Sequence, residues 1–396
     1  MACPARPDAR VRKAAAHYQR PPDTRVDRDH GTSVGVTRRP NTPRCVPETR
    51  GRGVPPETEV IVLKRFLVLL LLALMVSGSP GRSAGAAEVT FYVDNLTSCA
   101  GLTPCFTTIQ DAVNAAGPDT AVEVFPSVYR EAVRIVAKTR LVLRPHGAVG
   151  PVIAAPAASD ALQIIQSPGA RVGGFIVEAG GIMVAGGASG SPTVEDNFIR
   201  SGGVHFLTVD SCVARRNIVA GGVLSGGGGR DCVFEDNVVE GTISFDEGLN
   251  CGPRNNTVRG NLVRGGDITF YGRCVLEENL IEANRVDGGG ISLRGAIGYA
   301  NLIRTNLVRG GVLDLRGNVS GNTIEGNFVS GSPTDGILVA KSFGMGPNTI
   351  QRNTAVNNTV CDLNEILPPF TPPNVWLENR YITKCGAAET GAVVWP

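Results

Sequence analysis

The feature that most constrains the fold of this chain is a short motif that recurs every 20 to 26 residues. It consists of asparagine, threonine or leucine, valine or isoleucine, two variable residues and a second asparagine, as in residues 301–306. A period of this length, repeated in many units, is typical of a solenoid of stacked coils. By pattern, the second asparagine of each unit falls at Asn197, Asn217, Asn237, Asn261, Asn284, Asn306, Asn327 and Asn353.

The residues between the motifs indicate which solenoid forms. Each unit carries a short β-branched run, such as residues 291–293, and glycine pairs that a helical repeat would not tolerate. The Leu-x-x-Leu-x-Leu consensus of leucine-rich repeats is absent from the sequence. Asparagines at one corner of successive coils would lie about 4.8 Å apart, within reach of one another's amides. We therefore expect an all-β parallel β-helix over residues 87–385, followed by a C-terminal tail at 386–396.

The segment before the repeats is predicted to be an entry unit. Residues 89–93 alternate as a strand, and a second strand is expected at residues 121–125. Between them, Thr107 and Gln110 form a capping-box pattern that begins a helix, and Gly117-Pro118 ends it. We expect this helix to cap the first coil, because an uncovered end of a solenoid promotes end-to-end association.

The N-terminal part of the chain differs from the rest. Residues 1–59 are rich in arginine and proline and are expected to be disordered. Residues 60–86 have the basic, apolar and small-residue regions of a cleaved signal peptide, whose apolar run is too short to span a bilayer. Translation from near Val60 would leave residues 1–59 untranslated; the alternative is a basic arm on an uncleaved anchor. The signal peptide predicts a secreted or periplasmic protein with no stable membrane span after cleavage.

The net charge of +2 at pH 7 averages two unlike parts of the chain. Residues 1–86 contain 15 Lys and Arg against 7 Asp and Glu, whereas the remainder contains 23 against 29. The body of the protein is therefore mildly acidic, and the sequence predicts no nucleic-acid partner.

The cysteines also fit export. Apart from Cys3 and Cys45 in the leader, their number is even, which suits a disulfide framework in an oxidising compartment. Two of the expected bridges join residues about one coil apart, and the alternative there is a ladder of reduced, buried thiols. Histidine is scarce and no Cys-x-x-Cys occurs, so no zinc site is predicted. The expected pairs are Cys99–Cys105, Cys212–Cys232, Cys251–Cys274 and Cys361–Cys385.

Three segments carry a resemblance to a known group of proteins. Residues 106–113 lead into residues 122–131 in the manner of a cap helix followed by a Pro-Gly-x-Tyr-x-Glu element, with Ser127 in place of the glycine. The Asn-x-x-x-x-Asn unit and the segment 374–379 are similar to its coils. On these motifs the chain resembles the pectin-lyase-like superfamily. The resemblance implies a single-stranded right-handed parallel β-helix with an N-terminal capping helix, a fold that hosts many functions.

The catalytic signatures of that superfamily are missing from the sequence. Polygalacturonase-like enzymes carry clustered aspartates, Gly-His-Gly and Arg-x-Lys, whereas the histidines of the body, His146 and His205, lie in other contexts. The Asp-Pro-His of alginate epimerases is absent, and residues 243–248 only superficially match the pectin methylesterase element. No cofactor is therefore assigned, although calcium, which pectate lyases bind through several aspartates, is left open.

The middle residue of an apolar–x–apolar strand points away from the core. The predicted outward row consists of His205, Ser244, Thr269, Ser292 and Asp314, and a flanking basic row consists of Arg273, Arg294, Arg316 and Lys341. Arginine binds carboxylates and sulfates through paired hydrogen bonds. The two rows predict a surface that binds an acidic glycan, with an ordinary solvated face as the alternative. His205 is included among the candidate binding residues.

Asp314, which lies beside Ser292 and the arginines, is the first candidate for a general base or a calcium ligand. Asp246, Glu247 and Asp267 are predicted to form a second acidic cluster, and all of these could instead be ordinary surface residues. Without a catalytic signature, the sequence favours a secreted, non-catalytic binder of extracellular or envelope polysaccharide, or an envelope structural protein. The alternative is a polysaccharide-active enzyme, either a lyase or a glycoside hydrolase.

Overall fold

The computed structural model describes residues 89–96, 98–156, 159–186, 190–246, 252–342, 346–369, 371–386 and 393–394. The chain divides between Gly81 and Arg82 into two units, and all of the described residues belong to the second. The prefix 1–59 and the signal peptide 60–86 lie outside the described residues, and both stay predictions.

From Asn197 onward, each coil turns at a corner that asparagine side chains build. Asn306 donates from Nδ2 to Oδ1 of Asn327 at 2.9 Å, and its own Oδ1 accepts from the backbone N and from Nδ2 of Asn284, both at 3.0 Å. A buried amide without a partner costs roughly 1–3 kcal/mol, so these bonds fix each coil on the next. One ladder runs through Asn197, Asn217, Asn237, Asn261, Asn284, Asn306, Asn327, Asn353 and Asn379. A second ladder, five residues earlier in each coil, runs through Asn256, Asn279, Asn301, Asn322, Asn348 and Asn374.

The strands between these corners form parallel sheets, and the first sheet makes one face of the solenoid, called face 1. Its apolar side chains alternate inward, as the period of two in a strand requires. Within the described residues its strands, in spatial order, are Cys105–Phe106, Val89–Val93, Thr120–Val124, Val142–Pro145, Arg171–Gly173, Thr193–Glu195, Val213–Arg215, Val233–Glu235, Thr257–Arg259, Leu280–Glu282, Leu302–Arg304, Thr323–Glu325, Thr349–Gln351 and Val375–Leu377.

The second sheet bends into two further faces. Face 2 contains Val128–Tyr129, Val152–Ala154, Ile176–Ala179, Phe198–Ile199, Leu262–Arg264, Arg285–Asp287, Leu307–Arg309, Phe328–Ser330, Thr354–Val356, Arg380–Tyr381 and Val393–Val394. Face 3 contains Val133–Val136, Leu162–Ile165, Ile182–Ala185, Val204–Leu207, Ile268–Glu277, Ile291–Tyr299, Leu313–Ser320, Ile337–Lys341, Leu363–Ile366 and Lys384–Gly386. Ile218–Gly227 and Val238–Phe245 run through both faces. The predicted all-β parallel β-helix is confirmed.

The core is one continuous column of inward side chains. Valine, isoleucine and leucine fill most of it, and a short aromatic stack lies beneath face 3. Phe245 and Phe270 stack in parallel there, with ring centroids 4.7 Å apart and an interplanar angle of 10°. Such close packing removes freedom from the strands above it, so the outward residues next to Phe270 stand on a rigid support.

The entry unit contains an α-helix, Ile109–Ala115, whose buried side chains pack against the first strands. Its N-cap is Thr108, whose hydroxyl accepts the backbone N–H of Asp111 at 3.1 Å. The predicted capping box of Thr107 and Gln110 is therefore wrong by one position, because Thr108 and Asp111 form the capping pair. The short side chain that comes directly before the helical residues is the one within reach of the free amides. That the helix closes the first coil stays a prediction. A 3-10 helix precedes it at Cys99–Gly101.

Disulfides join the coils where the sequence predicts them. Within the described residues the bridges are Cys99–Cys105, Cys212–Cys232 and Cys361–Cys385. Cys274 is also disulfide-bonded, and its predicted partner Cys251 lies outside the described residues. These cysteines are therefore oxidised, and the alternative of a ladder of reduced thiols is wrong for them. Such bridges are typical of proteins that fold in an oxidising compartment, which is compatible with an extracellular or periplasmic location.

Among the described central cysteines, Cys274 does not share the corner position of Cys212 and Cys232. The Cys232 amide donates to Oδ1 of Asn256 at 3.0 Å, so Cys212 and Cys232 hold the position that the second asparagine ladder takes over from Asn256 onward. Cys274 lies five residues before Asn279 of that ladder. The step from Cys232 to its corner equivalent Asn256 is 24 residues, compared with 20 from Cys212 to Cys232, so the coils are unequal in length.

Face 1 carries outward charges that neutralise one another. Arg215 Nε lies 2.7 Å from a Glu195 carboxylate oxygen, and Arg304 Nη2 lies 2.6 Å from Glu282. Burial on its own raises the pKa of Glu195, but the hydrogen bonds from Arg171 and Arg215 outweigh it and hold the pKa below its ordinary value. The register alternates the two signs through Glu195, Arg215, Glu235, Arg259, Glu282, Arg304 and Glu325. No helix of the described part of the chain has the length and apolarity needed to cross a membrane.

Candidate functional site

The register of face 3 brings the predicted outward residues into one row. In order, the paired residues are His205, Ser225, Ser244, Thr269, Ser292 and Asp314. The predicted row is confirmed, with Ser225 as an additional member. The apolar–x–apolar pattern misses Ser225 because Gly226 stands where the second apolar residue would be.

The predicted basic row is correct for two of its four members. Arg294 and Arg316 pair with each other across adjacent coils. The residue that pairs with Arg294 on the other side is Tyr271, not Arg273. A register shift between Gly272 and Val275 carries Arg273 past the end of the row, which a count of residues along the strand does not reveal.

Lys341 is also misplaced by the sequence pattern. It pairs with Gly317, whereas its neighbour Ala340 pairs with Arg316. One position along a strand turns a side chain to the opposite face, and Lys341 is accordingly 4% exposed. Its Nζ donates to the carbonyl oxygens of Gly346 and Pro372 at 3.2 and 3.1 Å. Burial lowers the pKa of this ammonium, against the opposing effect of Glu365. Lys341 therefore ties two loops to the solenoid, and its predicted place in an exposed basic row is wrong.

Asp314 holds the two arginines of the row. Its side chain is 0% exposed, whereas those of Arg294 and Arg316 are 52% and 50% exposed. One carboxylate oxygen accepts from Arg294 Nη2 at 2.9 Å and the other accepts from Arg316 Nε at 2.8 Å. A carboxylate with both oxygens engaged by guanidinium groups is poorly suited to remove a proton from a substrate. The geometry instead makes Asp314 a positioning residue for two half-exposed arginines.

A small pocket lies beside this clamp. It has a volume of about 210 Å³. Ser292 contributes a buried Oγ that has no hydrogen-bond partner among the described residues. Tyr271, at the other end, is 45% exposed. The lining residues are Asp267, Thr269, Phe270, Tyr271, Ser292 and Arg294. The pocket thus joins an accessible carboxylate, hydroxyl groups and a guanidinium on one rigid strand pair.

Asp267 is the accessible carboxylate of this pocket. It lies in the turn before Ile268–Glu277 and is exposed. One of its oxygens accepts the backbone N–H of Gly290 at 2.6 Å. A Cβ at position 289 would lie 2.9 Å from that oxygen, so Gly289 leaves room for the carboxylate. The sequence names Asp267 as a candidate, and the structure brings it together with Ser292 and Arg294.

Asp246 and Asp267, the two described members of the predicted acidic cluster, do not lie together. Asp246 follows Phe245, which pairs with Phe270, so Asp246 lies at the Tyr271 end of the strand. That end is about 13 Å from Asp267 along the strand direction, because four strand positions separate them. Glu247 lies outside the described residues. Among the described residues, no group of three or more His, Cys, Asp or Glu side chains is arranged to hold a metal ion.

No protein-family profile and no curated protein matches the chain. Solved structures do resemble it at low identity. XylC in complex with xylose is 9% identical, with a TM-score of 0.49, over 78% of this chain and 86% of that chain. A mutant of the periplasmic alginate epimerase AlgG is 10% identical, with a TM-score of 0.41, over 70% and 83%. An alginate lyase from Paenibacillus sp. str. FPU-7 is 12% identical, with a TM-score of 0.35, over 78% and 96%.

The stacked parallel sheets of this chain form a parallel β-helix, which is the fold that the resemblance to the pectin-lyase-like superfamily implies. The solved structures are mostly named as enzymes, including the epimerase and the lyase. On this finding the prediction of a non-catalytic binder or envelope structural protein is wrong, and an enzymatic role of this chain is a proposal. Likeness at this level transfers no substrate and no residue, so the case for a particular chemistry depends on the pocket itself.

Proposed function

We propose that the protein is a secreted or periplasmic polysaccharide-active enzyme whose active site is the Asp267–Arg294 pocket of face 3. The observation that carries the proposal is the Arg294–Asp314–Arg316 clamp, which holds two half-exposed guanidinium groups next to an accessible carboxylate. Paired N–H groups of arginine match the geometry of a carboxylate. A glycan that contains uronic acid is therefore the substrate class that this surface favours.

Within that class, the arrangement favours β-elimination. Arginine neutralises the uronate carboxylate and so makes the adjacent C5–H more acidic. Asp267 takes that proton as general base, and the C4–O4 bond breaks as a C4–C5 double bond forms. The Tyr271 hydroxyl gives a proton to the departing oxygen. Asp267 and Tyr271 both line the pocket.

The geometry argues against a hydrolase with two catalytic carboxylates. Such enzymes place their carboxyl groups roughly 5 to 10 Å apart, both free to act. Asp267 and Asp314 are two coils and two strand positions apart, about 12 Å between Cα atoms. Asp314 is in addition fully engaged by arginine. A carboxylate pair of the required kind is thus not available from these two residues.

Product analysis on a panel of glycans tests the proposal. The mature protein is incubated with polymers of mannuronate, guluronate, galacturonate and glucuronate, and with neutral polymers, each with calcium and with a chelator. We expect an ultraviolet-absorbing unsaturated uronate from at least one acidic polymer, with no requirement for calcium. New reducing ends without the unsaturated product would indicate hydrolysis and contradict the proposed chemistry. No product from any polymer would contradict the enzyme proposal itself.

A further inference from the structure

A second pocket lies on the same face, four coils towards the N-terminus from Ser292. Its volume is about 560 Å³. His205 of this pocket and Ser292 of the first pocket lie in the same outward row and are separated by four coil steps. These steps put the two residues about 19 Å apart along the solenoid axis. The lining residues are Ser159, Asp160, Gln163, Gly180, Gly181, Gly202, Gly203 and His205. The two pockets therefore share no residue, and one side chain cannot serve both.

Glycine backbone makes up much of this second pocket and keeps its polar groups accessible. Gly180 and Gly202 have φ angles of +75° and +86°, a conformation that side chains other than glycine rarely adopt. A Cβ at position 203 would lie 2.9 Å from Nε2 of His205. Gly203 therefore leaves the imidazole nitrogen open towards the pocket. The stacking of the coils also requires glycine here, because a Cβ at position 203 would lie 2.2 Å from the carbonyl oxygen of Val223 in the next coil.

The polar groups of this pocket differ in kind from those of the first. Asp160 accepts from Gln163 Nε2 at 3.1 Å, so a carboxylate and an amide are held together. His205 lies two coils from Gln163 in the same outward row, with Met183 between them. Carboxylate, amide and imidazole groups bind hydroxyls as donors and acceptors. The lining includes no Lys or Arg, and the Asp160 charge disfavours a uronate carboxylate.

We infer that the His205–Asp160 pocket is a binding site for neutral, hydroxyl-rich sugar units, separate from the uronate site proposed above. The site extends the proposed function by giving the protein a preference for glycans that contain neutral as well as acidic residues. It rests on the proposed function only in treating the protein as one that acts on glycans. Its own evidence is the pocket, the glycine floor and the placement of the three polar side chains.

Titration calorimetry of the mature protein with neutral hexaoses of glucose, mannose and xylose tests this inference. At least one hexaose is expected to bind. His205→Ala and Asp160→Asn are each expected to weaken its Kd about tenfold, the effect of losing one or two hydrogen bonds. Leu207→Ala, on the same strand but outside the pocket lining, is the matched control and is expected to bind as the wild type does. Circular dichroism of each variant establishes that the solenoid is intact.

The inference is overturned if no neutral hexaose binds, or if binding is insensitive to both His205→Ala and Asp160→Asn. It is also overturned if these variants weaken binding of uronate hexamers instead of neutral ones. Arg294→Ala separates this result from the proposed function, because it removes the uronate site and is expected to leave neutral binding unchanged. Neutral binding without any glycan turnover would support this site and contradict the enzyme proposal.

Discussion

Asp314 occupies an outward strand position and is nevertheless completely buried, because Arg294 and Arg316 fold over it. The burial of an ion pair costs desolvation, and such a pair holds only when further hydrogen bonds compensate. Here the two arginines keep half of their surface in water, which lowers that cost. The arrangement therefore presents two oriented guanidinium groups at the surface, where they can meet an acidic ligand.

Removal of the Asp314 charge tests this role. Asp314→Asn leaves two like charges one coil apart without their shared acceptor, and we expect the free energy of unfolding to fall by about 2 kcal/mol. The KM for an acidic polymer should also rise. Arg304→Ala, which breaks an exposed pair on face 1, is the matched control and should cost less than about 1 kcal/mol. Urea denaturation of the three proteins measures the difference, and equal stability of Asp314→Asn and wild type would contradict the clamp.

At this scale the sequence predicts which residues are polar and outward but not which are accessible. The alternation rule correctly identifies Ser292 and Asp314 as outward members of one row. It does not identify the burial of Asp314, which depends on two arginine rotamers. Lys341 shows the sharper limit, because one position of register separates an exposed cation from a buried one.

The asparagine ladders are the elements that fix one coil on the next. Asn306→Ala removes Oδ1, which accepts from both the backbone N and Nδ2 of Asn284, and leaves these donors buried. We expect a loss of about 3 kcal/mol in unfolding free energy from the unsatisfied groups. Asn114→Ala, at an exposed helix position, should change stability little. Thermal or urea unfolding compares the two, and a similar small effect for both would exclude a structural role for the ladder.

The last coils depend on Asp362, which accepts the backbone N–H groups of Ile382 and Thr383, both at 2.8 Å. Burial on its own raises the pKa of Asp362, but these bonds and those from Asn358 outweigh it and lower the pKa below its ordinary 3.8. Because the pKa of Asp362 is lower in the folded state than in the unfolded state, its ionised carboxylate stabilises the fold at pH values above 3.8. That contribution disappears as the pH falls below 3.8 towards the folded pKa.

Asp362→Asn should therefore reduce stability near neutral pH and flatten its acid-side decline. Glu378→Gln, an exposed acid in the next coil, is the matched control and should keep the wild-type profile. Denaturation midpoints between pH 6 and strongly acidic conditions measure both. If the stability of Asp362→Asn falls with decreasing pH in parallel with that of the wild type, this assignment is contradicted.

The sequence predicts the strands and corners of the fold because the repeated asparagines themselves form the corners. The position of Asn306 in the repeat is also its position in the ladder. The cysteines were predicted as pairs but not as two different corner positions, since unequal coil lengths are invisible in their spacing. The cap of the entry helix was displaced by one residue for a similar reason, because adjacent threonines offer the same hydroxyl.

At the scale of the whole molecule, face 1 and face 3 differ in how their charged residues are arranged. Face 1 alternates acidic and basic residues and is locally neutral, whereas face 3 presents Arg294 and Arg316 on a mildly acidic body. A polyanion should therefore bind on face 3 through few charges.

We expect the affinity of the protein for a polyanion to fall when salt rises above physiological ionic strength, because screening weakens exposed charge pairs. Arg316→Ala should reduce this salt dependence and Arg304→Ala should not. Binding titrations at several salt concentrations measure it, and an unchanged slope for Arg316→Ala would contradict the assignment.

The most direct test of the proposed active site is turnover of a uronate polymer by the wild-type protein, Asp267→Asn and Asp246→Asn. Loss of a general base typically lowers a rate by about 10² to 10⁴. We predict that Asp267→Asn lowers kcat at least about a hundredfold, with polymer affinity retained. Asp246→Asn, an exposed acid one coil away at the far end of the strand, should keep wild-type turnover. Wild-type kcat in Asp267→Asn, or an equal loss in Asp246→Asn, would contradict the account.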